Sequence, residues 1–207
     1  PVFHDDQHGT AIVVLAALIN ALKVVRKEIG QLRIVMAGAG AAGRAIAQLL
    51  VASGAKDIVL VDRKGVIHRE RDDLVGKGSW VLEHTNPNQL SGALRDVIVD
   101  ADLFIGVAGP NLLTGKDIAT MADDAIVFAL ANPDPEVDPL EASEHAAVVA
   151  TGRSDHPNHI NNVLAFPGVF RGLLDAQSTS VTTPMLVAAA EALAATVPDD
   201  ALNSSYI

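Results

Sequence analysis

A strand–glycine–helix–strand unit over residues 34–62 constrains this chain more than any other feature. Gly38, Gly40 and Gly43 form a GxGxxG pattern between an apolar run and a helix-forming segment, and Asp62 ends the next apolar run. Glycines at this spacing permit a tight turn, a close approach of backbone to pyrophosphate, and close helix–strand packing. The N–H groups at the helix start favour phosphate. The unit therefore predicts a dinucleotide site in which Asp62 hydrogen-bonds the adenosine ribose. A glycine turn of purely structural use is the alternative.

The composition argues against several classes of binding partner and site. The 207 residues carry a formal net charge of −10, and none of them is cysteine. An acidic chain without basic runs is a poor match for nucleic acid or an anionic membrane surface. Without cysteine there is no disulfide framework, thiolate nucleophile or zinc–sulfur site, and we expect a cytoplasmic protein. The longest apolar run, residues 11–19, is too short to span a bilayer. Because the chain starts inside a motif, we expect it to be part of a longer protein.

The order of apolar runs predicts the fold. Strands are expected at residues 34–37, 58–61, 103–107, 126–131 and 147–150, and helices at 11–28, 44–53, 72–84, 90–99, 114–121, 140–145, 169–175 and 184–195. Alternating strands and helices predict an α/β fold with a doubly wound, mostly parallel sheet of the Rossmann type. We expect residues 1–30 to form a linking helix that carries an Asp-Asp motif, and residues 31–207 to form the NAD(P)-binding domain. Ligands bind such sheets at the carboxyl ends of the strands.

The segment PVFHDDQHGT places two carboxylates, Asp5 and Asp6, at the start of the first helix. Carboxylate oxygens suit Mg²⁺ or Mn²⁺, and a carboxylate can also orient a catalytic base. The alternative is that both aspartates only cap the helix and suit its positive end. His4 and His8 do not make a zinc site probable, because neither cysteine nor an HExxH pattern accompanies them.

Two further segments place polar side chains after apolar runs. In ALANPDPE, Asn132 follows a strand on a proline-rich loop and could bind a ribose or a substrate carboxyl, or else only form an Asx-turn. In GRSDHPNHINNVLAFPGVFRG, the side chains of Asn161 and Asn162 adjoin an apolar run and need partners. A ligand or the local backbone could supply those partners. Arg153 could clamp a carboxylate, although a structural role on its loop is the simpler reading.

Together these segments resemble malic enzymes of the bacterial type over essentially the whole chain. PVFHDDQHGTA, AGAGAAG, VDRKGVI, GVAGPNLLT, FALANPDPE and GRSDHPNHINNVLAFPGVFRG follow the order of that family. The family's catalytic tyrosine and lysine and its Glu-Asp metal pair precede the first of these motifs, and this chain lacks them.

The resemblance implies roles for individual residues. Asp6 is similar to the metal-ligating aspartate for Mg²⁺ or Mn²⁺, and Asp5 to the neighbour that hydrogen-bonds the catalytic lysine. Asn132 and Asn161 would approach the nicotinamide ribose, while Asn162, together with Asn132, would meet the substrate malate. The cofactor would be held by Gly38, Ala39, Gly40, Ala41, Ala42, Gly43, Asp62 and Arg63.

The activity implied is oxidative decarboxylation of malate to pyruvate and CO₂ with reduction of NAD(P), in the longer protein. A non-catalytic dinucleotide-binding module, a malolactic-type enzyme, and an amino-acid or shikimate-type dehydrogenase are the alternatives. Asp62 would repel a 2′-phosphate and so favours NAD, whereas Arg63 and Lys64 could accommodate NADP. The apolar first helix suggests a surface shared with a missing domain or with a second copy, and we expect the full-length form to be a homo-oligomer.

Overall fold

A computed structural model describes residues 2–74 and 80–207. Within them, one sheet contains six strands in the order β3-β2-β1-β4-β5-β6. Strands β1, β2, β4, β5 and β6 pair in parallel, and only the short β3 pairs antiparallel, with β2. The predicted α/β, doubly wound and mostly parallel fold is therefore confirmed. The strands are β1 (Arg33–Ala37), β2 (Asp57–Asp62), β3 (Gly65–Val66), β4 (Leu103–Gly106), β5 (Ile126–Ala129) and β6 (Val148–Thr151).

Helices cover both faces of this sheet. Short turns of other helix types precede α1 (Asp5–Gly9), follow it (Ile29–Gln31) and precede α7 (Asn162–Leu164). The helices are α1 (Thr10–Val25), α2 (Ala41–Ala52), α3 (Trp80–His84), α4 (Leu94–Val97), α5 (Gly115–Ile118), α6 (Pro139–Ser143), α7 (Phe166–Asp175) and α8 (Thr183–Ala194).

Side chains that alternate between the two faces of each strand divide the hydrophobic core into two parts. In β1, Ile34 and Met36 face the layer of α1, α2 and α8, whereas Val35 and Ala37 face the layer of α4, α5 and α6. Successive side chains of a strand point to opposite faces. A strand buried on both faces therefore reads as a continuous apolar run, as these do.

Helix α1 lies at the centre of one layer. It packs against α8 and α2, and Asn20 donates its side-chain amide to the carbonyl of Ala194 at 3.0 Å. The helical segment Asp5–Val25 has the length and composition to cross a membrane, but 67% of its most apolar window is buried inside the fold. This burial is typical of a core helix, and it accounts for the apolar surface of α1 without a second subunit.

Several predicted boundaries shift. Helix α1 ends at Val25 rather than at residue 28, because Arg26 adopts a left-handed conformation (φ 56°) and closes the helix. The helix predicted at residues 90–99 is only the single turn Leu94–Val97, and the strand predicted at 126–131 ends at Ala129. Of the helix predicted at 72–84, residues 72–74 form turns instead, residues 75–79 lie outside the described residues, and the helix Trp80–His84 is present. The strand Gly65–Val66 was not predicted, because two residues carry too little pattern.

The strand order reverses between β1 and β4. Strand β1 has β2 on one side and β4 on the other, so the connections that leave β1 and β4 diverge to opposite faces of the sheet. Such a switch point opens a crevice at the carboxyl ends of the strands, where ligands of open α/β sheets bind. The glycine loop follows β1, and residues 107–109 follow β4, so both border this crevice.

Candidate functional site

The glycine loop has the geometry that its sequence predicts. Gly38 has φ 113°, and a Cβ there would lie 2.8 Å from the carbonyl oxygen of Val107. A Cβ at Gly43 would lie 1.9 Å from the carbonyl oxygen of Gly38, so strand and helix approach as closely as glycine allows. Gly40 caps α2, and a Cβ there would meet nothing within 4 Å. Two glycines are therefore required by the fold, whereas Gly40 faces open space at the start of a helix.

Two adjoining cavities lie at this edge of the sheet, and residues 107–109 border both of them. The larger, of about 1010 Å³, extends from the glycine loop past the end of β2. Its lining combines apolar side chains with charged ones, which suits a purine with its ribose and phosphates. Its lining includes Gly38, Ala39, Gly40, Arg44, Asp62, Arg63, Lys64, Ile67, Val81 and Leu94.

The smaller cavity, of about 410 Å³, brings together residues that are far apart in sequence. It is lined by Asp6 in the helical turn before α1, Ala42 in α2, Asn132 after β5, and both Asn161 and Asn162 before α7. The predicted polar residues therefore meet at the carboxyl edge of the sheet. Ala41, the first residue of α2, lines neither cavity.

Asp5 and Asp6 have different surroundings. Asp5 accepts a short hydrogen bond from the side-chain amide of Asn162, whereas Asp6 is exposed and lines the small cavity. Neither caps the helix with its side chain, although both lie in the first helical turn, where carboxylates suit the positive end of the helix. The described residues contain no group of three or more histidine, aspartate or glutamate side chains placed to hold a metal. Asp6 could thus be one metal ligand, but this part of the chain does not complete a metal site.

The asparagines also differ. Asn161 accepts a hydrogen bond from the backbone N–H of Val163 at 2.9 Å and so caps the turn before α7. Asn132 is exposed at the cavity and is followed by a cis bond to Pro133. Arg153 pairs with Asp155 at 2.6 Å and donates to the carbonyl of Pro133. Arg153 is therefore a structural cation beside the Asn132 loop, and it does not line either cavity.

The end of β2 carries an ion-pair network that sequence reasoning missed. Arg71 donates to both carboxylate oxygens of Asp62, at 2.8 and 2.6 Å, and its Nε donates to Asp73 at 2.8 Å. Lys64 donates its backbone N–H to Asp62 and its ammonium to Asp73. The hydrogen bonds from Arg71 hold the pKa of Asp62 below its usual range. Asp62 is thus ionised and bridged to a cation, and no sequence pattern in the polar stretch 63–74 indicates this pairing.

A second missed residue is Glu136, which is fully buried. Its two carboxylate oxygens accept the backbone N–H groups of Ala108, at 2.9 Å, and Ala131, at 3.1 Å. Burial raises the pKa of Glu136, and these N–H donors oppose that shift. Gly106 was the available signal, because a glycine inside a buried strand often marks a close approach. A Cβ at Gly106 would lie 2.3 Å from Glu136 Cδ.

The pKa of Asp62 can be tested directly. We expect Arg71→Met to raise it, since the largest cause of its lowered pKa is the hydrogen bond from Arg71. A carboxyl whose folded pKa is lowered contributes stability above its unfolded value, 3.8, and this contribution is lost as the pH falls through the folded pKa. The stability gap between wild type and variant should therefore shrink below pH 3.8. Carboxyl NMR titration and urea melts at several pH values measure both, and an unchanged Asp62 pKa would contradict the assignment.

Comparison with known proteins then decides the family. The family model described as malic enzyme, NAD binding domain, matches residues 7–207. This chain belongs to the malic enzyme family. The NAD-dependent malic enzyme of Geobacillus stearothermophilus is 52% identical over the whole chain, which covers 43% of that protein. The bifunctional malic/malolactic enzyme of Bacillus subtilis is 51% identical, again over the whole chain, which covers 51% of it.

A solved structure of the same family has the same fold. The NAD-dependent malic enzyme of Thermotoga maritima superposes over the whole chain with a TM-score of 0.92 and 45% identity, and the chain covers 55% of it. This chain thus spans about half the length of the relatives that it matches, and it corresponds to their NAD-binding domain. The family resemblance inferred from the motifs is confirmed.

Proposed function

We propose that this chain binds NAD(P) across the two cavities and forms part of an enzyme that oxidises and decarboxylates malate to pyruvate and CO₂. The observation that carries the proposal is the pair of adjoining cavities at the switch point, one bounded by the glycine loop and the other by Asp6, Asn132, Asn161 and Asn162. The larger cavity would hold the adenosine diphosphate half of the cofactor. The smaller would hold the nicotinamide half beside the substrate.

The residues present fit a dinucleotide. Open space above Gly40 at the start of the twelve-residue α2 leaves room for a pyrophosphate against backbone N–H groups. Asp62 lies at the rim of the larger cavity, within the proposed ribose position. When bound, the nicotinamide accepts a hydride, and the protein's part is to orient it and exclude competing reactions.

On the substrate side, Asn162 is held in place by its hydrogen bond to Asp5, so its remaining amide atoms can be presented to the small cavity. Asn132 offers both a donor and an acceptor there. We propose that Asn132 contacts the nicotinamide ribose and substrate, that Asn161 contacts the ribose, and that Asn162 contacts malate or pyruvate. Asp5 would act by orienting its neighbours.

For a metal, the described residues supply one exposed carboxylate at the small cavity, Asp6. Mg²⁺ and Mn²⁺ prefer several oxygen ligands, usually including more than one carboxylate or substrate oxygen. Asp6 is therefore proposed as a single ligand to Mg²⁺ or Mn²⁺ in the longer protein, where other groups complete the site.

Two rival functions stay open. A dinucleotide-binding module without catalysis needs the larger cavity only, whereas a malolactic-type enzyme needs both and would retain its cofactor. The name of the Bacillus subtilis relative includes both malic and malolactic activity, which supports the malolactic alternative.

We also propose a cytoplasmic homo-oligomer for the longer protein. Support for association comes from exposed apolar side chains near α7, at Val163, Leu164, Phe170 and Leu174.

Cofactor choice depends on the Asp62 network. Asp62 disfavours a 2′-phosphate and accepts hydrogen bonds from a 2′-hydroxyl, so NAD is the proposed cofactor. NADP is the alternative, because the cations Arg71, Arg63 and Lys64 lie near the same position and could pair with a 2′-phosphate. Removal of Asp62 would leave Arg71 as a bidentate donor for a phosphate.

We therefore expect Asp62→Ser to shift the ratio of dissociation constants toward NADP by roughly 10- to 100-fold, the effect of exchanging a charged hydrogen bond. Fluorescence titration with NADH and NADPH measures the ratio. Asp155→Ser is the matched control, since it also removes an aspartate paired with an arginine but does not line the adenosine cavity. An unchanged ratio in Asp62→Ser would mean that residues other than Asp62 determine cofactor choice.

A further inference from the structure

The carboxylate of Glu136 joins the two loops that border the small cavity. It reaches Ala108 in the loop after β4 and Ala131 in the loop after β5, one with each oxygen. We propose that Glu136 is a positioning residue, which holds these loops at the spacing that accepts the nicotinamide half of the cofactor. The inference rests on the proposed dinucleotide function and adds a residue that does not itself line either cavity.

The main chain around Glu136 strengthens this connection. Its carbonyl oxygen accepts the backbone N–H groups of Leu112, at 2.7 Å, and Leu113, at 3.0 Å. The preceding carbonyl, of Pro135, accepts the N–H of Asn111 at 3.0 Å. The segment 135–136, which belongs to the loop after β5, is thus attached to the β4 loop at several points, and the Glu136 carboxylate adds one contact to each loop beside the small cavity.

A carboxylate is a costly way to fill a core position. Burying a charge is unfavourable unless hydrogen bonds compensate for lost water, and apolar residues of similar volume often give equal or better stability. A carboxylate can do here what an apolar side chain cannot, because each of its oxygens accepts one backbone N–H from a different loop. Glutamine would place an NH₂ donor against one of those N–H donors and so would release one loop.

The released loops are those that form the cavities. Residues 107–109 border both cavities, whereas Ala131 and Asn132 border only the small one. Loss of the carboxylate should therefore disturb the small cavity more than the large one. A residue with a merely structural role would lower stability without changing the relative affinity for the two halves of the dinucleotide.

The test compares NADH with ADP, which carries only the adenosine diphosphate half. In the 207-residue chain we expect Glu136→Gln to weaken NADH binding about tenfold, the size of a lost buried hydrogen bond. ADP affinity should change by no more than about twofold. Calorimetric titration of both ligands against wild type and variant measures the ratio of the two effects.

Two further variants make the result decisive. Gly106→Ala places a Cβ against Glu136 Cδ and displaces the carboxylate without changing any charge, so it should reproduce the selective loss of NADH binding even if Glu136→Gln fails to fold. Glu141→Gln is the matched control, since Glu141 Oε2 also accepts a backbone N–H, from Gly115 at 2.9 Å, but lies away from both cavities. That variant should leave both affinities unchanged.

The outcomes separate the inference from the function on which it rests. A selective loss of NADH binding in Glu136→Gln or Gly106→Ala supports the positioning role. Equal losses of NADH and ADP binding, or no loss of either, would overturn it while leaving the dinucleotide site intact. Failure of the wild-type chain to bind either ligand would overturn the proposed function, and this inference with it.

Discussion

Gly40→Val is expected to abolish NADH binding while leaving the fold intact. A Cβ at Gly40 meets no protein atom within 4 Å, so the folded protein has room for the side chain. That room is where the pyrophosphate is proposed to approach the start of α2. A branched side chain there would cost overpacking energy of about 1–3 kcal/mol, in addition to the lost hydrogen bonds between backbone and phosphate. We expect affinity to fall about 100-fold or more.

The control separates binding from folding. Gly172→Val also adds a side chain where nothing lies within 4 Å, but it is in α7 and outside both cavities. Thermal melts and NADH fluorescence titrations of both variants should show comparable folding and a loss of binding in Gly40→Val alone. Gly43→Val would be no substitute, since its Cβ would collide with the carbonyl of Gly38. Wild-type NADH affinity in a folded Gly40→Val protein would contradict the proposal that the pyrophosphate binds against Gly40.

The sequence predicted the sheet and the glycine loop well because both depend on local requirements. A parallel strand buried on both faces must be a continuous apolar run, and β1, β2 and β4 are such runs. Each loop glycine answers a demand set within a few residues, or across one neighbouring strand, as with Gly38 and Val107. The order of these elements along the chain is then enough to specify the edge at which a ligand binds.

Helix ends were predicted less well, because backbone conformation at single residues decides them. Arg26 ends α1 in a left-handed conformation that arginine rarely adopts, and the sequence therefore predicts a helix that continues to residue 28. Thr114, by contrast, was correctly expected to begin a helix. Its backbone N–H and hydroxyl both donate to Asp117, and this local pairing is visible in the sequence spacing.

The contacts of the site that the sequence does not predict mostly join distant segments. Glu136 acts on Ala108, which is 28 residues away, and Asn162 meets Asp5 across 157 residues. Arg71 is only nine residues from Asp62, yet the turns between them contain no periodic pattern that would bring the two together. Charged residues in a polar stretch are more often solvated, so sequence alone gives no reason to pair these two.

We expect this chain to bind a dinucleotide but to be unable to turn over malate. The glycine loop, Asp62 and Asn132 lie within it, so the proposed contacts to both halves of the cofactor can form. The small cavity offers Asp6 as its one acidic side chain and no lysine or tyrosine among its described lining residues. A general base or acid therefore has to come from elsewhere, and the described residues do not complete a metal site.

The rate losses from the missing acid–base groups and from the incomplete metal site multiply. Loss of general acid–base catalysis costs about 10²- to 10⁴-fold for each group, and an incomplete metal site removes several kcal/mol more of transition-state stabilisation. The purified chain, incubated with malate, Mn²⁺ and either NAD or NADP, should show no rise in the absorbance of reduced nicotinamide. The same sample should bind NADH in a fluorescence titration, which shows that the cofactor site is folded, and a full-length malic enzyme in the same buffer serves as the positive control. Steady turnover by the 207 residues alone would mean that one of them acts as the base, and it would contradict the proposed division of the site between this domain and the rest of the protein.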